Sequence, residues 1–258
     1  YAHAANWKKG EAEALILKAK VFDFWGKYQE AIPIDLLALK LSCELKDSIL
    51  MARSFRQIAS MYGNFGATDK DILLLEASVE ISRKINYTKG LGSALTDLAA
   101  VYFANANYSK AIILIKESIL LKTAIRDSIN LSNSYRKLSN IYFELGSYEK
   151  SIDYTLKSIK LAILTNNKME ASFGYYLLGM VYTNTKDYYK SLIYLKKALA
   201  IKINLENKED IGMVYSRIGS LYCILGQVDS AFINLKNASK YLNQINKKEL
   251  LNINITEM

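Results

Sequence analysis

The sequence is short of the side chains that most enzymes and metal sites need. Its 258 residues include one histidine, His3, and two cysteines. We therefore expect no metal site built from histidine, cysteine and carboxylate, and no Ser/His or Cys/His pair for nucleophilic catalysis. Carboxylates are scattered over positions expected to be exposed, which leaves no buried pair for general acid–base chemistry. The sequence predicts a protein that is not an enzyme and uses no cofactor or metal.

Long apolar segments and a disulfide framework are also missing. Apolar runs such as the one around Ala111 to Leu114 are far shorter than the roughly 20 residues that span a bilayer. Cys43 and Cys223 are too distant in sequence to be expected to pair, so we expect two separate buried thiols. No membrane insertion is expected. The sequence leaves the cellular compartment open. The alternatives are the cytoplasm, or the periplasm if the chain is the sensor region of a membrane-tethered regulator.

Helix breakers are rare, with one proline and 12 glycines, while 51% of the residues are hydrophobic. This composition excludes a disordered chain and favours a large helical core. Pro33 fits the first turn of a helix, or else kinks that helix. The chain starts at Tyr1 without a charged and apolar leader, so we expect a fragment or a processed product.

What the chain has instead is a repeat of 40 residues without insertions. An aromatic residue marks one position of each repeat: Phe22, Tyr62, Tyr102, Tyr142, Tyr182 and Tyr222. Three further positions of the repeat hold small residues, with Asp71 as the exception. The first position holds Ala19, Ala59, Ala99, Ser139, Gly179 and Gly219, and the second holds Ala31, Asp71, Ala111, Ser151, Ser191 and Ala231. The third position holds Ala38, Ser78, Ser118, Ser158, Ala198 and Ala238. Small side chains at fixed spacing predict closely packed helices, because larger groups would hold the helix axes apart.

Apolar spacing predicts two helices in each repeat, which we call helix A and helix B. Phe55, Ile58, Ala59 and Tyr62 follow the i, i+3, i+4, i+7 pattern in helix A. The turn after helix A has a glycine suited to a left-handed conformation in four repeats: Gly26, Gly66, Gly146 and Gly226. The next position has N-cap residues in three repeats: Asn107, Ser147 and Asp187. Polar residues mark the turns after helix B: Asp47, Asp127, Asn166, Asn167 and Asn207. About twelve helices joined by short turns are predicted.

The repeat around Leu138, Ser139, Tyr142, Gly146 and Tyr148 resembles a tetratricopeptide repeat, whose pattern has a Leu-Gly pair, a following Tyr and a Gly-x-Tyr turn. The resemblance implies an all-α, right-handed α-solenoid of about six helix-turn-helix repeats in a single domain, 1–258. The expected repeats are 12–51, 52–91, 92–131, 132–171, 172–211 and 212–245, with 246–258 as a capping or linker segment. Family repeats have about 34 residues, so these helices should be longer by roughly a turn and a half in total.

If the family geometry holds, helix A lines a concave groove, and the binding residues are those not used for packing. The candidates are Arg53, Arg56, Asn133, Arg136, Lys137, Asn140, Phe173, Tyr176, Leu177, Met180 and Arg217. Arginines predict a partner that is acidic or has a free carboxylate, because guanidinium groups bind carboxylates bidentately. Arg136, Asn140 and Arg217 match part of the family's two-carboxylate clamp, but Leu177 stands where the clamp needs an Asn. Two alternatives stay open: the arginines could pair with nearby acids such as Asp97 or Glu144, or they could only solubilise the groove.

The net charge of +9 raises the possibility of nucleic-acid binding. Lysines such as Lys150, Lys157, Lys160, Lys196 and Lys197 are spread singly over helix B, as on a solvated face, and most tyrosines occupy repeat positions used for packing. We therefore expect a protein or peptide partner rather than a nucleic acid. The oligomeric state is left open.

Two functions remain after these exclusions. The first is a non-enzymatic scaffold that binds a protein or peptide segment in the helix-A groove. The second is the sensor region of a larger bacterial signalling regulator, since repeats of this length are similar to those fused to histidine kinases or DNA-binding output domains, and to those of intracellular peptide-pheromone receptors.

Overall fold

The computed structural model describes residues 2–64 and 68–243, and within them every element is an α-helix. The helices are α1 (Ala2–Phe24), α2 (Tyr28–Glu44), α3 (Ser48–Asn64), α4 (Thr68–Lys84), α5 (Thr88–Ala104), α6 (Tyr108–Ala124), α7 (Ser128–Glu144), α8 (Tyr148–Leu164), α9 (Lys168–Asn184), α10 (Tyr188–Asn204), α11 (Lys208–Ile224) and α12 (Val228–Asn243). Odd-numbered helices are helix A of a repeat and even-numbered ones helix B. The predicted all-α class is confirmed.

Two compact units divide the chain, residues 1–130 and residues 131–258, which we call unit 1 and unit 2. In unit 1, each of α1 to α5 packs against the next helix, and α1, α3 and α5 also contact one another in sequence. In unit 2, each of α8 to α11 packs against the next helix. Each unit is therefore built from helix-turn-helix repeats. The single domain over 1–258 and its predicted repeat boundaries stay a prediction.

The small positions of the repeat are buried in every repeat, as predicted. Residues such as Ala19, Ala59, Ser139 and Ala198 have at most 1% of their surface exposed. Asp71, the exception, is also buried, with 4% exposed. Close packing explains these positions, because a methyl group placed on Gly219 would lie 2.7 Å from Leu235 Cγ.

Buried serine hydroxyls at the small positions also bind carbonyl groups of the neighbouring helix. Ser78 Oγ donates to the Ala52 carbonyl at 2.8 Å in unit 1, and Ser191 Oγ donates to the Gly179 carbonyl at 2.9 Å in unit 2. These bonds satisfy the hydroxyl groups that packing removes from water.

The turns follow the predicted helix punctuation. Gly26, Gly146 and Gly226 have φ angles of 70°, 68° and 70°, in the left-handed region, and Gly66 lies outside the described residues. Ala106 and Lys186 take the same place in the other two described turns, with φ angles of 56° and 62°. The repeat therefore imposes a left-handed residue even where no glycine is available.

Most helices that follow a polar turn residue are capped at the N-terminus by the side chain of that residue. Asn107 and Asp187 each accept a hydrogen bond, at 3.2 Å, from the backbone N–H three residues later. Asp47, Asn167 and Asn207 cap the following helix A in the same way. The predicted caps are confirmed except at Ser147, whose side chain makes no cap bond.

Two expectations are wrong, and a third is narrowed to one alternative. Pro33 lies beyond the first turn of α2 and inside the helix, which excludes the first-turn alternative and leaves the kink as a prediction. Cys43 and Cys223 are exposed rather than buried, because each lies next to, and not on, the buried stripe of its helix. Carboxylates are not confined to the surface either. Four are buried within the described residues: Asp35, Asp71, Glu170 and Asp210.

Unit 2 contains stacks of tyrosine rings between the two helices of a repeat. Tyr154 of α8 stacks on Tyr142, with ring centroids 5.6 Å apart and an interplanar angle of 6°, and also on Tyr135. Tyr194 of α10 makes the same pair of contacts one repeat later. The expectation that most tyrosines serve packing therefore holds for these rings.

Candidate functional site

The predicted binding residues of unit 1, Arg53 and Arg56, are half-buried on α3. Arg56 Nη1 donates to Asp97 Oδ2 of α5 at 2.9 Å, and both side chains keep more than a third of their surface exposed. Exposed ion pairs of this kind contribute at most about 1 kcal/mol, so a ligand can compete for Arg56. Pairing with Asp97 was one of the alternatives that the sequence left open.

Two adjoining cavities open beside these arginines, entirely within unit 1. The larger has a volume of about 440 Å³, and we call it the basic cavity. Its lining includes Lys20, Arg53, Arg56, Lys89, Ser82 and Tyr87. The smaller cavity, about 310 Å³, shares Lys20, Arg53 and Arg56 and adds Asp23 and Asp97. Both volumes are in the range of small-ligand sites.

Arg53 makes no ion pair within the described residues, and its guanidinium interacts electrostatically with the fully buried Asp35. Burial raises the pKa of the Asp35 carboxyl to about 7, against the opposing effects of the Ser54 hydroxyl and the Arg53 guanidinium. No hydrogen bond of normal geometry reaches either carboxylate oxygen. Near neutral pH, Asp35 therefore carries only part of a negative charge and leaves Arg53 incompletely neutralised.

The predicted residues of unit 2 have a different environment. Arg136 Nε of α7 donates to Glu170 Oε1 of α9 at 2.6 Å, and both side chains are largely buried. The Arg136 guanidinium also lies 5.1 Å from the centroid of the Phe173 ring. Lys202 Nζ lies 4.3 Å from the same ring and 2.8 Å from Asp210 Oδ2. Two cations thus lie within about 5 Å of the Phe173 ring centroid, and each is paired with its own acid.

The remaining candidates of unit 2 are distributed over α7, α9 and α11. Leu177 is buried, with 7% exposed, and packs in the core. Arg217 is exposed, and its Nε donates a long 3.4 Å hydrogen bond to Tyr176 Oη. Five others are half-buried: Asn133, Lys137, Asn140, Tyr176 and Met180. The accessible candidates of this unit therefore mix amide, aromatic and thioether groups around one exposed cation.

Several charged residues of these sites do not appear among the sequence-based candidates. Lys20 occupies in the first repeat the helix-A position that Asn140 and Met180 occupy later, so the repeat register itself could have identified it. Lys122 and Lys202 are buried, with 2% and 3% exposed, although lysines were expected to be solvated. Their burial could have been predicted from their position in the repeat. Both occupy the helix-B position at which the other repeats have the buried residues Ser42, Ser82, Ala162 and Leu242.

Metal and membrane features are absent from the described part of the chain. The described residues hold no group of three or more His, Cys, Asp or Glu side chains placed to bind a metal ion. None of the described helices combines the length and the apolar character needed to cross a bilayer.

Repeated helix pairs with small buried contact positions place the fold among the all-α repeat solenoids. Residues 132–162 and 174–202 match the family model of the tetratricopeptide repeat. The resemblance to tetratricopeptide repeat proteins is therefore confirmed. The matched family describes a repeat and not an enzyme. A comparison with curated proteins finds no significant match.

Solved structures support the same fold. A signal transduction ATPase with a tetratricopeptide repeat sensor from Pyrococcus horikoshii has a TM-score of 0.73 and 16% identity, over 96% of this chain and 39% of that chain. The Rap conjugation gene regulator of plasmid pLS20, in complex with the Phr* peptide, has a TM-score of 0.72 and 14% identity, over 93% and 64%. BtubC from P. vanneervenii has a TM-score of 0.69 and 14% identity, over 95% and 93%. At these identities the likeness concerns the fold.

Proposed function

We propose that this chain is a non-enzymatic scaffold that binds an acidic peptide or protein segment on the helix-A side of its repeats. The observation that carries the proposal is the contrast between positions on helix A. The small positions are buried in every repeat, whereas Arg53, Arg56, Asn140 and Met180 keep accessible side chains. Residues that packing does not consume are the ones available to a ligand.

Charge and fold give further support. Arg53, Arg56 and Arg217 are accessible cations on helix A, and arginine binds carboxylates bidentately. The Rap regulator in complex with the Phr* peptide has the same fold as this chain. In unit 2, Tyr176 and Met180 would supply apolar contacts beside Arg217.

Selection from a random peptide library followed by titration of the recovered peptides tests this proposal. Variants Arg53→Glu, Arg56→Glu and Arg217→Glu should each weaken binding about tenfold, because a charge-assisted contact is lost and a repulsion gained. Lys160→Glu and Lys196→Glu make the same charge change on exposed positions of helix B and serve as controls. Equal losses in both sets, with unchanged helicity, would refute the helix-A assignment.

A second function is a sensor region within a larger bacterial regulator. The observation that favours it is the fold shared with the tetratricopeptide repeat sensor of the Pyrococcus horikoshii ATPase, in which the matched part is 39% of the chain. Sequencing the gene beyond the codon for Met258 separates the two functions. A kinase, ATPase or DNA-binding domain there would support the sensor, and a stop codon would favour the scaffold.

A further inference from the structure

The basic cavity of unit 1 has an unusual charge balance. Four cationic side chains line it, Lys20, Arg53, Arg56 and Lys89, and no carboxylate does. Asp97 neutralises Arg56 from the smaller cavity, through a pair that remains accessible to water. Arg53 interacts electrostatically with the partly protonated Asp35, and Asp23 and Asp97 line the smaller cavity rather than this one. The cavity therefore keeps a strong positive potential that favours an anion carrying more than one charge.

A buried hydrogen-bond donor without a partner lies in the same cavity. Ser82 is fully buried on α4, and its hydroxyl finds no hydrogen-bond partner in the described structure. Buried hydroxyl groups are normally paired, because an unpaired one costs about 1–3 kcal/mol. Ser82 also lines the cavity, so a ligand oxygen placed there would satisfy it.

The start of α5 completes the wall. Tyr87 holds the N-cap position and provides no side-chain acceptor for the first amide groups of the helix. Lys89 and Gly90 of the first turn line the cavity. A methyl group on Gly90 would lie 2.2 Å from the Tyr87 ring, so glycine allows this ring to lie against the helix start. Uncapped amide groups and the helix dipole add further affinity for an anion.

From the four cations, the unpaired Ser82 hydroxyl and the uncapped helix start, we propose that the basic cavity binds a phosphomonoester. Such a group carries about 1.5 to 2 negative charges and three acceptor oxygens at neutral pH, whereas a carboxylate offers one charge and two oxygens. A volume of about 440 Å³ also holds the body of a small molecule or a side chain attached to the phosphoryl group. The site shares Arg53 and Arg56 with the proposed peptide surface but does not depend on it.

Calorimetric titration with phenyl phosphate, using benzoate as the matched monoanion, tests the site on the whole chain. Phenyl phosphate should bind at least about tenfold more tightly than benzoate, and its affinity should fall with added salt. Arg53→Gln and Lys89→Gln should each weaken phenyl phosphate about tenfold. Lys116→Gln, an exposed lysine of α6 in the same unit, should leave the affinity unchanged.

Two results would overturn the inference: similar affinities for phenyl phosphate and benzoate, or an unchanged affinity in Lys89→Gln. Lys89 is exposed, so its replacement leaves the fold intact and a negative result cannot be attributed to misfolding. Phosphoserine peptides and sugar phosphates then distinguish the source of the phosphoryl group, since the class that binds more tightly than phenyl phosphate identifies it. The peptide selections described above use unphosphorylated peptides, so the two proposals can fail separately.

Discussion

Two groups of cations, one in each unit, have opposite surroundings. In unit 1, Lys20, Arg53 and Lys89 line an open cavity without a carboxylate in its wall. In unit 2, Arg136 and Lys202 both lie close to the Phe173 ring, and each is paired with an acid. The first group of cations therefore lines a candidate binding surface, whereas the second group forms ion pairs between helices.

One position of the repeat accounts for much of this difference. Arg136 pairs with Glu170, which follows it by 34 residues. In unit 1, the residue that follows Arg56 by the same interval is Gly90, which has no side chain to offer. Arg56 pairs with the half-buried Asp97 instead. The presence or absence of an acid at the start of helix A thus decides whether the preceding arginine forms a largely buried pair, as Arg136 does, or a more accessible one, as Arg56 does.

The largest effect should come from removing that acid in unit 2. Glu170→Ala leaves Arg136 largely buried and unpaired, which should lower the free energy of unfolding by about 3 kcal/mol. Glu117→Ala breaks the exposed pair with Arg83 in unit 1 and should cost less than about 1 kcal/mol. Urea titrations measure both. Equal costs would contradict the internal role assigned to the Arg136 pair.

The next effect concerns Asp35, which occupies in unit 1 the buried helix-B position held by Leu195 in unit 2. Its pKa is raised from 3.8 to about 7, so the folded state holds a proton that the unfolded state has lost. The free energy of unfolding should therefore fall as the pH rises from about 4 to about 7, by up to about 3 kcal/mol.

Asp35→Asn should remove this part of the pH dependence, and Asp35→Leu should raise the free energy of unfolding at pH 8. Denaturant titrations at pH 5 and pH 8 measure the difference between each variant and the parent. Glu80→Gln, on an exposed position of α4, is the control and should leave the pH dependence as it is. An Asp35→Asn variant with the pH dependence of the parent would show that burial does not raise this pKa.

A smaller effect should follow from the spacing of the helices. In unit 2, Gly219→Ala places a methyl group 2.7 Å from Leu235 Cγ and 3.2 Å from its backbone nitrogen, which should cost about 1–3 kcal/mol. In unit 1, Gly10 lies in an exposed part of α1 with no atom near such a methyl group. Gly10→Ala should therefore stabilise by about 0.5–1 kcal/mol through helix propensity. A stabilising Gly219→Ala in thermal unfolding would contradict the close packing.

The smallest effect should appear in the turns after helix A. Ala106 of unit 1 has a φ of 56° where Gly146 of unit 2 has 68°. Ala106→Gly should stabilise by about 0.5–1 kcal/mol, because glycine adopts left-handed angles without steric cost, and Gly146→Ala should destabilise by a similar amount. Melting temperatures of the reciprocal pair measure this. Shifts of the same sign in both variants would be inconsistent with the left-handed turn.

Most of the fold could be predicted because it depends on residues that recur. Ala19, Ser139 and Gly179 are all small because two helix backbones meet there, and a single sequence with six copies displays that requirement directly. Gly146 likewise marks the end of a helix, and Asn107 marks the start of one. Periodicity detects what the copies have in common, so the class and the turns follow from it.

The candidate sites depend on what the copies do not share, and that part could be predicted only incompletely. Arg53 and Arg56 were found because they stand at accessible helix-A positions. The burial of Lys202 and Glu170 was not predicted, because a charged residue is normally expected to be solvated. The partner that neutralises it in the structure shows how it can occupy a buried position of the repeat. Lys89 reaches the basic cavity only through the packing of α4 against α5, which no local pattern displays.

The tyrosine stacks give unit 2 an optical signature of its own. Five stacked pairs of tyrosine rings lie in unit 2: Tyr135–Tyr154, Tyr142–Tyr154, Tyr175–Tyr194, Tyr182–Tyr194 and Tyr215–Tyr241. Fixed aromatic contacts produce near-ultraviolet circular dichroism, whereas the far-ultraviolet signal sums the helices of both units. If the units melt separately, the two spectral transitions will not coincide, and their order will tell which unit unfolds first.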